Sequence, residues 1–258
     1  MHNCSPGSVS ITKGEKFSKD QCPKNDRERM AMKNVRYSSA VGSLMYAQVC
    51  TRPDIAFAVG VLGRFMSNPG PIHYQAVKKV FRYLQGTKDH MLTYRRINFL
   101  EVVGYSDADY KGCVDDKKST TGYIFIMAGG AVSWRSAKQS VTASSTMEAE
   151  YVACYEATRH AVWLRNFIHD LGVVDSIERP IMMYCDNTAA VSFSNNLKDT
   201  PGAKYIDVKY FVVKEKVEEG LITVVHTPTY SMVADPLTKA LPVGIFEEHV
   251  SRMGLLGS

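Results

Sequence analysis

From Tyr37 onward, apolar residues recur at helical spacing. Val41, Leu44, Met45, Gln48 and Val49 mark one face of a first helix, which Thr51-Arg52-Pro53 then interrupts. Thr51 can cap and Pro53 suits a first turn, so a second helix follows with Ile55, Val59, Leu62 and Met66 on one side. After the turn Ser67-Asn68-Pro69-Gly70-Pro71, a third helix is expected from about Ile72 to Gln85. It buries Val77, Val80, Phe81 and Leu84 and stops at Gly86. Around Asn98 the period shortens to that of strands. Segments 101–106, 121–127 and 131–135, separated by turn residues that include Gly129-Gly130, predict an antiparallel meander. A long helix follows from about Thr146 to Leu171, its stripe running through Ala149, Ala153, Ala157, His160, Leu164, Phe167 and Leu171. Next come a strand over 181–185, a short helix from Asn187, a helix around 205–219, a strand from Leu221 to His226 and a last helical stretch begun by Asp235. This order predicts an α/β fold, a mixed sheet covered by helices, behind a small helical bundle. The first thirty or so residues are polar and aperiodic, and read as a linker or a severed connection.

Composition constrains the function more than the fold. With 258 residues and 45% apolar content, one large or two smaller domains can each bury a core. There is no run of eighteen apolar residues and no hydrophobic signal segment at the start. A soluble, unsecreted protein without a membrane partner is therefore expected. The six cysteines are scattered, with no C-x-x-C pair, and are expected to be reduced thiols. The formal charge of +5 hides an asymmetry: residues 1–100 hold 16 Lys+Arg against 6 Asp+Glu, whereas residues 101–258 hold 15 against 20. A basic arm joined to an acidic half suits a polyanion gripped by one part and cut by the other, although any basic helical domain has the same charge.

Four acids stand at the edges of predicted elements: Asp107 ending the first strand, Glu150 opening the long helix, Asp186 after strand 181–185, and Asp235 at the last helical stretch. Singly, each has an ordinary explanation as a turn residue, a cap or a first-turn acid. Jointly, carboxylates from strand ends and helix starts are the material of a site for hard divalent cations that cleaves phosphodiesters.

The flanking residues narrow this further. Gly104-Tyr105-Ser106-Asp107-Ala108-Asp109-Tyr110, Lys118-Ser119-Thr120-Thr121-Gly122-Tyr123, Ala143-Ser144-Ser145-Thr146-Met147-Glu148-Ala149-Glu150-Tyr151, Cys185-Asp186-Asn187 and Ala234-Asp235-Pro236-Leu237-Thr238-Lys239 resemble the ribonuclease H domain of copia-type LTR retrotransposon Pol polyproteins. Gly42-Ser43-Leu44-Met45-Tyr46, Thr51-Arg52-Pro53-Asp54-Ile55 and Arg82-Tyr83-Leu84-Gln85-Gly86 resemble the region that links reverse transcriptase to that domain. The resemblance runs from about residue 20 onward. It implies a ribonuclease H-like mixed five-stranded sheet flanked by helices over 98–258, a helical connection over 34–97 and a severed polyprotein segment over 1–33.

By that resemblance Asp107, Glu150, Asp186 and Asp235 hold two Mg²⁺ ions, with Mn²⁺ as a substitute, and cut the RNA strand of an RNA–DNA hybrid. Asp107 bridges both ions, and His226 helps product leave. Of the two helix glutamates, Glu150 fits the family spacing to Ala153 and Ala157, while Glu148 lies about 200° away on a helix of this pitch. Asp109 rivals Asp107, since strand alternation puts both on one face, and only the family pattern favours Asp107. Ser144, Ser145, Thr146 and Asn187 are candidates for minor-groove contacts to the 2′-hydroxyls of RNA, and Arg135 and Lys138 for phosphate contacts. The family's usual histidines are replaced by Tyr205 and Phe211. The pair Asp115-Asp116 lies in a turn after the first ribonuclease H strand with no palm before it, so polymerase activity is not expected. The implied partners are the hybrid and the polymerase part of the same polyprotein. The implied setting is intracellular: the cytoplasm, inside a virus-like particle, or the nucleus. The alternatives are a non-catalytic nucleic-acid-binding remnant and an assembly module built on the basic helices.

Overall fold

The computed structural model describes residues 5–172, 174–196 and 211–257. Helices α1 (Asp26–Met32), α2 (Tyr37–Cys50), α3 (Ala56–Gly63) and α4 (Pro71–Gly86) come first, then a short strand β1 (His90–Leu92). The meander follows as β2 (Val103–Asp109), β3 (Thr120–Met127) and β4 (Gly130–Lys138), and then the long helix α5 (Thr146–Leu171). Strand β5 (Ile181–Cys185), helices α6 (Thr188–Asn195) and α7 (Val212–Glu218), strand β6 (Ile222–His226), helix α8 (Val243–Arg252) and strand β7 (Leu255–Gly257) complete the chain. The main sheet has the order β4-β3-β2-β5-β6. β2, β3 and β4 are antiparallel, and β2, β5 and β6 are parallel. This is the expected mixed five-stranded, ribonuclease H-like sheet flanked by helices.

Helix α5 forms as its sequence dictates. Ser145 caps it by accepting from the Glu148 amide, and Gly172 ends it at φ +63°, where a Cβ would be strained. Its buried side is Ala149 and Ala153, packed with Ala108 of β2, followed by Ala157, Ala161, Leu164 and Ile168, packed on the sheet with Phe125, Met183 and Val224. The expected stripe drifts off this side toward its end, because Phe167 and Leu171 are 49% and 55% exposed. On α2 only Tyr37, Val41 and Leu44 are buried, whereas Met45 and Val49 face solvent, contrary to the expected face. α3 is apolar nearly all round because it is enclosed by the other helices and by β4. The Thr51–Asp54 motif serves packing. Arg52 donates to Asp54 at 2.7 and 3.1 Å and to Thr87, and the Tyr83 hydroxyl donates to Asp54 at 2.5 Å, tying the start of α3 to the end of α4.

The meander strands run longer than expected, so that Asp107 lies inside β2, opposite Gly122, rather than at its end. Two further features depart from expectation. Within the stretch read as a linker, the Gly7 amide bonds Arg82, and Val9 and Ile11 are buried in the helical core. At the other end Phe246, Val250 and Leu255 enter that same core, and β7 pairs antiparallel with β1. Alternation over two or three residues is too short to register as periodicity, and pairing between residues 90 and 257 has no local signal.

Candidate metal centre

Parallel neighbours β2 and β5 pair through Tyr105 and Tyr184, and their chains then diverge at the same end of the sheet. β2 is also where the connections reverse direction, and such a switch point opens a crevice at the carboxyl ends of the strands. Asp107 and Asp186 follow that last pair by two residues each, so both project at the crevice. Asp235 is brought there by a 3-10 turn (Asp235–Leu237) seated against β3. The close seat depends on Gly122, whose added Cβ would meet Leu237 Cβ at 2.8 Å and Thr238 Cγ2 at 2.6 Å. One carboxylate oxygen from each of Asp107, Asp186 and Asp235 lies within 4.8 Å of the others. Glu150, in the first turns of α5, is buried beside them, whereas Glu148 turns back to accept from the Ser144 amide at 2.7 Å and from its hydroxyl.

The electrostatics are those of acids crowded into a dry cleft. Burial, followed by the charges of Asp107 and Asp186, holds the Glu150 carboxyl well above the usual range, opposed by Lys239 and the Ala108 amide. Burial and then Asp107 push Asp235 up to about 7. Lys239 Nζ lies 2.9 Å from Asp235 and 3.5 Å from Asp107. Although burial opposes its charge, the two aspartates outweigh that and raise its pKa. The Thr238 hydroxyl donates to Asp107 Oδ2, and the Thr229 hydroxyl donates to Asp186 at 2.9 Å. Asp107 Oδ1 and Glu150 Oε2 are buried and find no donor among the described residues. Asp109 lies outside the cluster of three, its carboxylate held against Gly112. Lys239, Thr238 and Thr229 carried no expectation. Lys239 follows Asp235 by four residues, but its second partner, Asp107, cannot be inferred from spacing.

The other candidates fall in several places. His226 is exposed at the end of β6, paired with Cys185, the residue before Asp186. The hydroxyls of Ser144 and Ser145 are engaged at the start of α5, while Thr146 is exposed. Asn187 caps α6 through its side-chain oxygen. Arg135 and Lys138 line a groove of about 540 Å³ between β4 and α5 that none of the four acids lines. In the β2–β3 turn, Asp115 accepts from the Lys19 amide and Asp116 pairs with Lys138 at 2.6 Å. Phe211 packs against the core beside Phe193, and Tyr205 lies outside the described residues. Among the described residues every cysteine is a free thiol, and no helix is long and apolar enough to cross a membrane.

No family model matches the chain. It is 43% identical over 247 residues to the retrovirus-related Pol polyprotein from transposon TNT 1-94 of Nicotiana tabacum, a match covering 96% of this chain and 18% of that protein. It is 37% identical over 219 residues to the Pol polyprotein from transposon RE1 of Arabidopsis thaliana, covering 85% and 15%. The chain thus spans under a fifth of these relatives' length. A protein named secreted RxLR effector protein 161 of Plasmopara viticola is 56% identical over 133 residues, covering 52% of this chain and 94% of that protein. Among solved structures, LC11-RNase H1 aligns at 19% identity and a TM-score of 0.39, covering 54% of this chain and 92% of that one.

Proposed function

Because the chain belongs to the retrovirus-related Pol polyproteins of transposons, we propose that it performs their ribonuclease H step, metal-dependent endonucleolytic hydrolysis of the RNA strand of an RNA–DNA hybrid. The observation that carries this reading is the gathering of Asp107, Asp186 and Asp235 oxygens within 4.8 Å. The donor set suits Mg²⁺ or Mn²⁺: it is all carboxylate oxygen, and two buried oxygens beside it, Asp107 Oδ1 and Glu150 Oε2, lack donors. Like charges this close are relieved either by protonation, toward which Glu150 and Asp235 are pushed, or by cations among them, and Lys239 provides one positive charge from the chain itself. Asp107, Glu150, Asp186 and Asp235 would hold the ions, with Asp107 central. Divalent ions there supply Lewis-acid polarisation of the phosphate and a water activated for in-line attack.

The chain's own residues set the geometry. Thr238 fixes one oxygen of Asp107 and leaves the other for a ligand. Thr229 fixes Asp186 in the same way. Exposed Thr146 and the Asn187 amide nitrogen would contact the 2′-hydroxyls of RNA, and exposed His226 would help product depart. In this reading residues 98–258 carry the chemistry and 34–97 carry the connection to a polymerase part elsewhere in the polyprotein. The work would be done within the cell.

The test uses purified protein, a hybrid labelled on either strand, and Mg²⁺ or Mn²⁺, alongside Asp107→Asn and Asp186→Asn. Cutting of the RNA strand alone by the parent, and by neither variant, is expected. Salt-sensitive binding without cutting in either metal would replace this reading with a nucleic-acid-binding remnant.

A further inference from the structure

The groove between β4 and α5 has a composition that the acid cluster does not explain. Arg135 and Lys138 line one wall, and Tyr155, Arg159, His160 and Trp163 the other. Glu156 is the single acid among the lining residues. Trp163 is 56% exposed, yet its ring is not loosely placed. It lies 5.1 Å from the His160 ring and is stacked on Phe167 at 5.4 Å, and His160 in turn stacks on Tyr123 at 5.3 Å and bonds Ser133. A large aromatic held rigid and open costs little entropy when a flat partner stacks on it. Tyr155, Arg159 and Trp163 follow one another four residues apart, a rise of about 6 Å each, so ring, cation and ring alternate along the groove. Arg135 and Arg159 are both exposed at its mouth.

The groove begins near the acids and leads away from them. Lys138 pairs with Thr120, which pairs with Asp109, and Arg135 pairs with Tyr123, which pairs with Ser106. Along α5, Arg159 lies nine residues beyond Glu150, about 13 Å down the axis and about 180° around it, so a strand leaving the acids would pass round the helix to reach it. We propose that this groove binds a single-stranded nucleic-acid segment continuing from the hybrid, with bases stacking on Trp163 and phosphates at Arg135, Arg159 and Lys138. The position of the strand relative to the hybrid rests on the ribonuclease H reading, but the groove's affinity for a single strand does not. Interleaved cations and π-faces match a strand that has both phosphates and unpaired bases; phosphates would compete there with Asp116 for Lys138 and with Glu156 for Arg135 and Arg159, whereas an apolar protein segment would use only the rings.

The test measures affinity by fluorescence anisotropy in EDTA, using the full chain and hybrids that are blunt or carry a single-stranded overhang of RNA or of DNA. The two overhangs separate which strand the groove takes. Tighter binding of one overhang hybrid than of the blunt one, by roughly fivefold or more, is expected from a single stacked base. Trp163→Ala should remove that gain, Trp163→Phe should keep part of it, and the tryptophan emission of the parent should be quenched by the overhang. Arg135→Ala combined with Arg159→Ala should lower the salt slope by about 1.4, at roughly 0.7 per phosphate contact on a single strand. These positions are at the surface, and thermal melts verify that each variant folds. Equal affinity for blunt and overhang hybrids, or a gain that survives Trp163→Ala, would overturn the inference. Cutting of blunt hybrid by the parent is scored separately: failure there refutes the nuclease reading, whereas loss of the overhang gain alone refutes the groove.

Discussion

Lys239 puts a positive charge where the account also places metal ions, and removing it separates the two roles. In Lys239→Met the stem is largely kept, and the ammonium 2.9 Å from Asp235 and 3.5 Å from Asp107 is lost. Breaking a buried ion pair by deleting one partner costs about 3–5 kcal/mol. The Lys239 side chain is 32% exposed, so water offsets part of this and about 2–3 kcal/mol is a fair expectation. For a chain of this size that corresponds to a fall in Tm of roughly 4–12 °C. The melt belongs at pH 9 in EDTA, because Asp235 stands at about 7 with Lys239 holding it down, rises further once that lysine is gone, and nearer neutrality would escape by taking a proton. In saturating Mn²⁺ the cation replaces the lost charge, so the variant should regain most of its deficit and rise further than the parent does. Equal losses in EDTA and in Mn²⁺ would show that Lys239 only packs, and the charge argument would fail.

Three further outcomes follow from the same geometry. Glu150→Gln should abolish RNA cutting, whereas Glu148→Ala should keep it and cost about 0.5–2 kcal/mol through the lost helix-start bonds to Ser144; cleavage assays and urea melts giving the reverse pattern would exchange their roles. Gly122→Ala should push the Leu237–Thr238 segment off β3, costing about 1–3 kcal/mol of overpacking, and should weaken Mn²⁺ binding in calorimetry; parent-like affinity would mean that the seat does not matter. His249 is buried in α8, and burial lowers its pKa to about 4. Its unfolded form takes a proton near 6.5 while the folded form does not, so its contribution to stability is complete above pH 6.5 and declines as pH falls toward 4. Between pH 7.5 and 4.5 the parent's advantage over His249→Gln should shrink by about 2 kcal/mol, and a constant difference in Tm would contradict this.

The elements that could be read in advance were those with their own local signals. α5 has a capping serine, twenty-six residues of period and a terminal glycine, so its bounds were evident. Its buried side was not, because Trp163, Phe167 and Leu171, four residues apart, form a second apolar line beside that of Ala161, Leu164 and Ile168, three and four apart. Which line is covered depends on where the sheet ends, and no local pattern records that. The four acids were legible because each sits in a family-like motif, although Asp107 lies inside β2 and not at its boundary. The partners that complete them, Lys239 and Thr238 reaching Asp107 across more than 130 residues, come from tertiary folding alone. The burial of Val9 and Ile11 and the pairing of β1 with β7 likewise come from tertiary folding and leave no local signal.

The most direct test of the central claim is the chemistry of the ends left on the cut RNA. Attack by water in line with a departing 3′ oxygen leaves a 5′-phosphate on one fragment and a 3′-hydroxyl on the other. The account predicts those ends, dependent on Mg²⁺ or Mn²⁺ and absent with Asp235→Asn. Fragments ending in a 2′,3′-cyclic phosphate, or cutting that persists in EDTA, would contradict it.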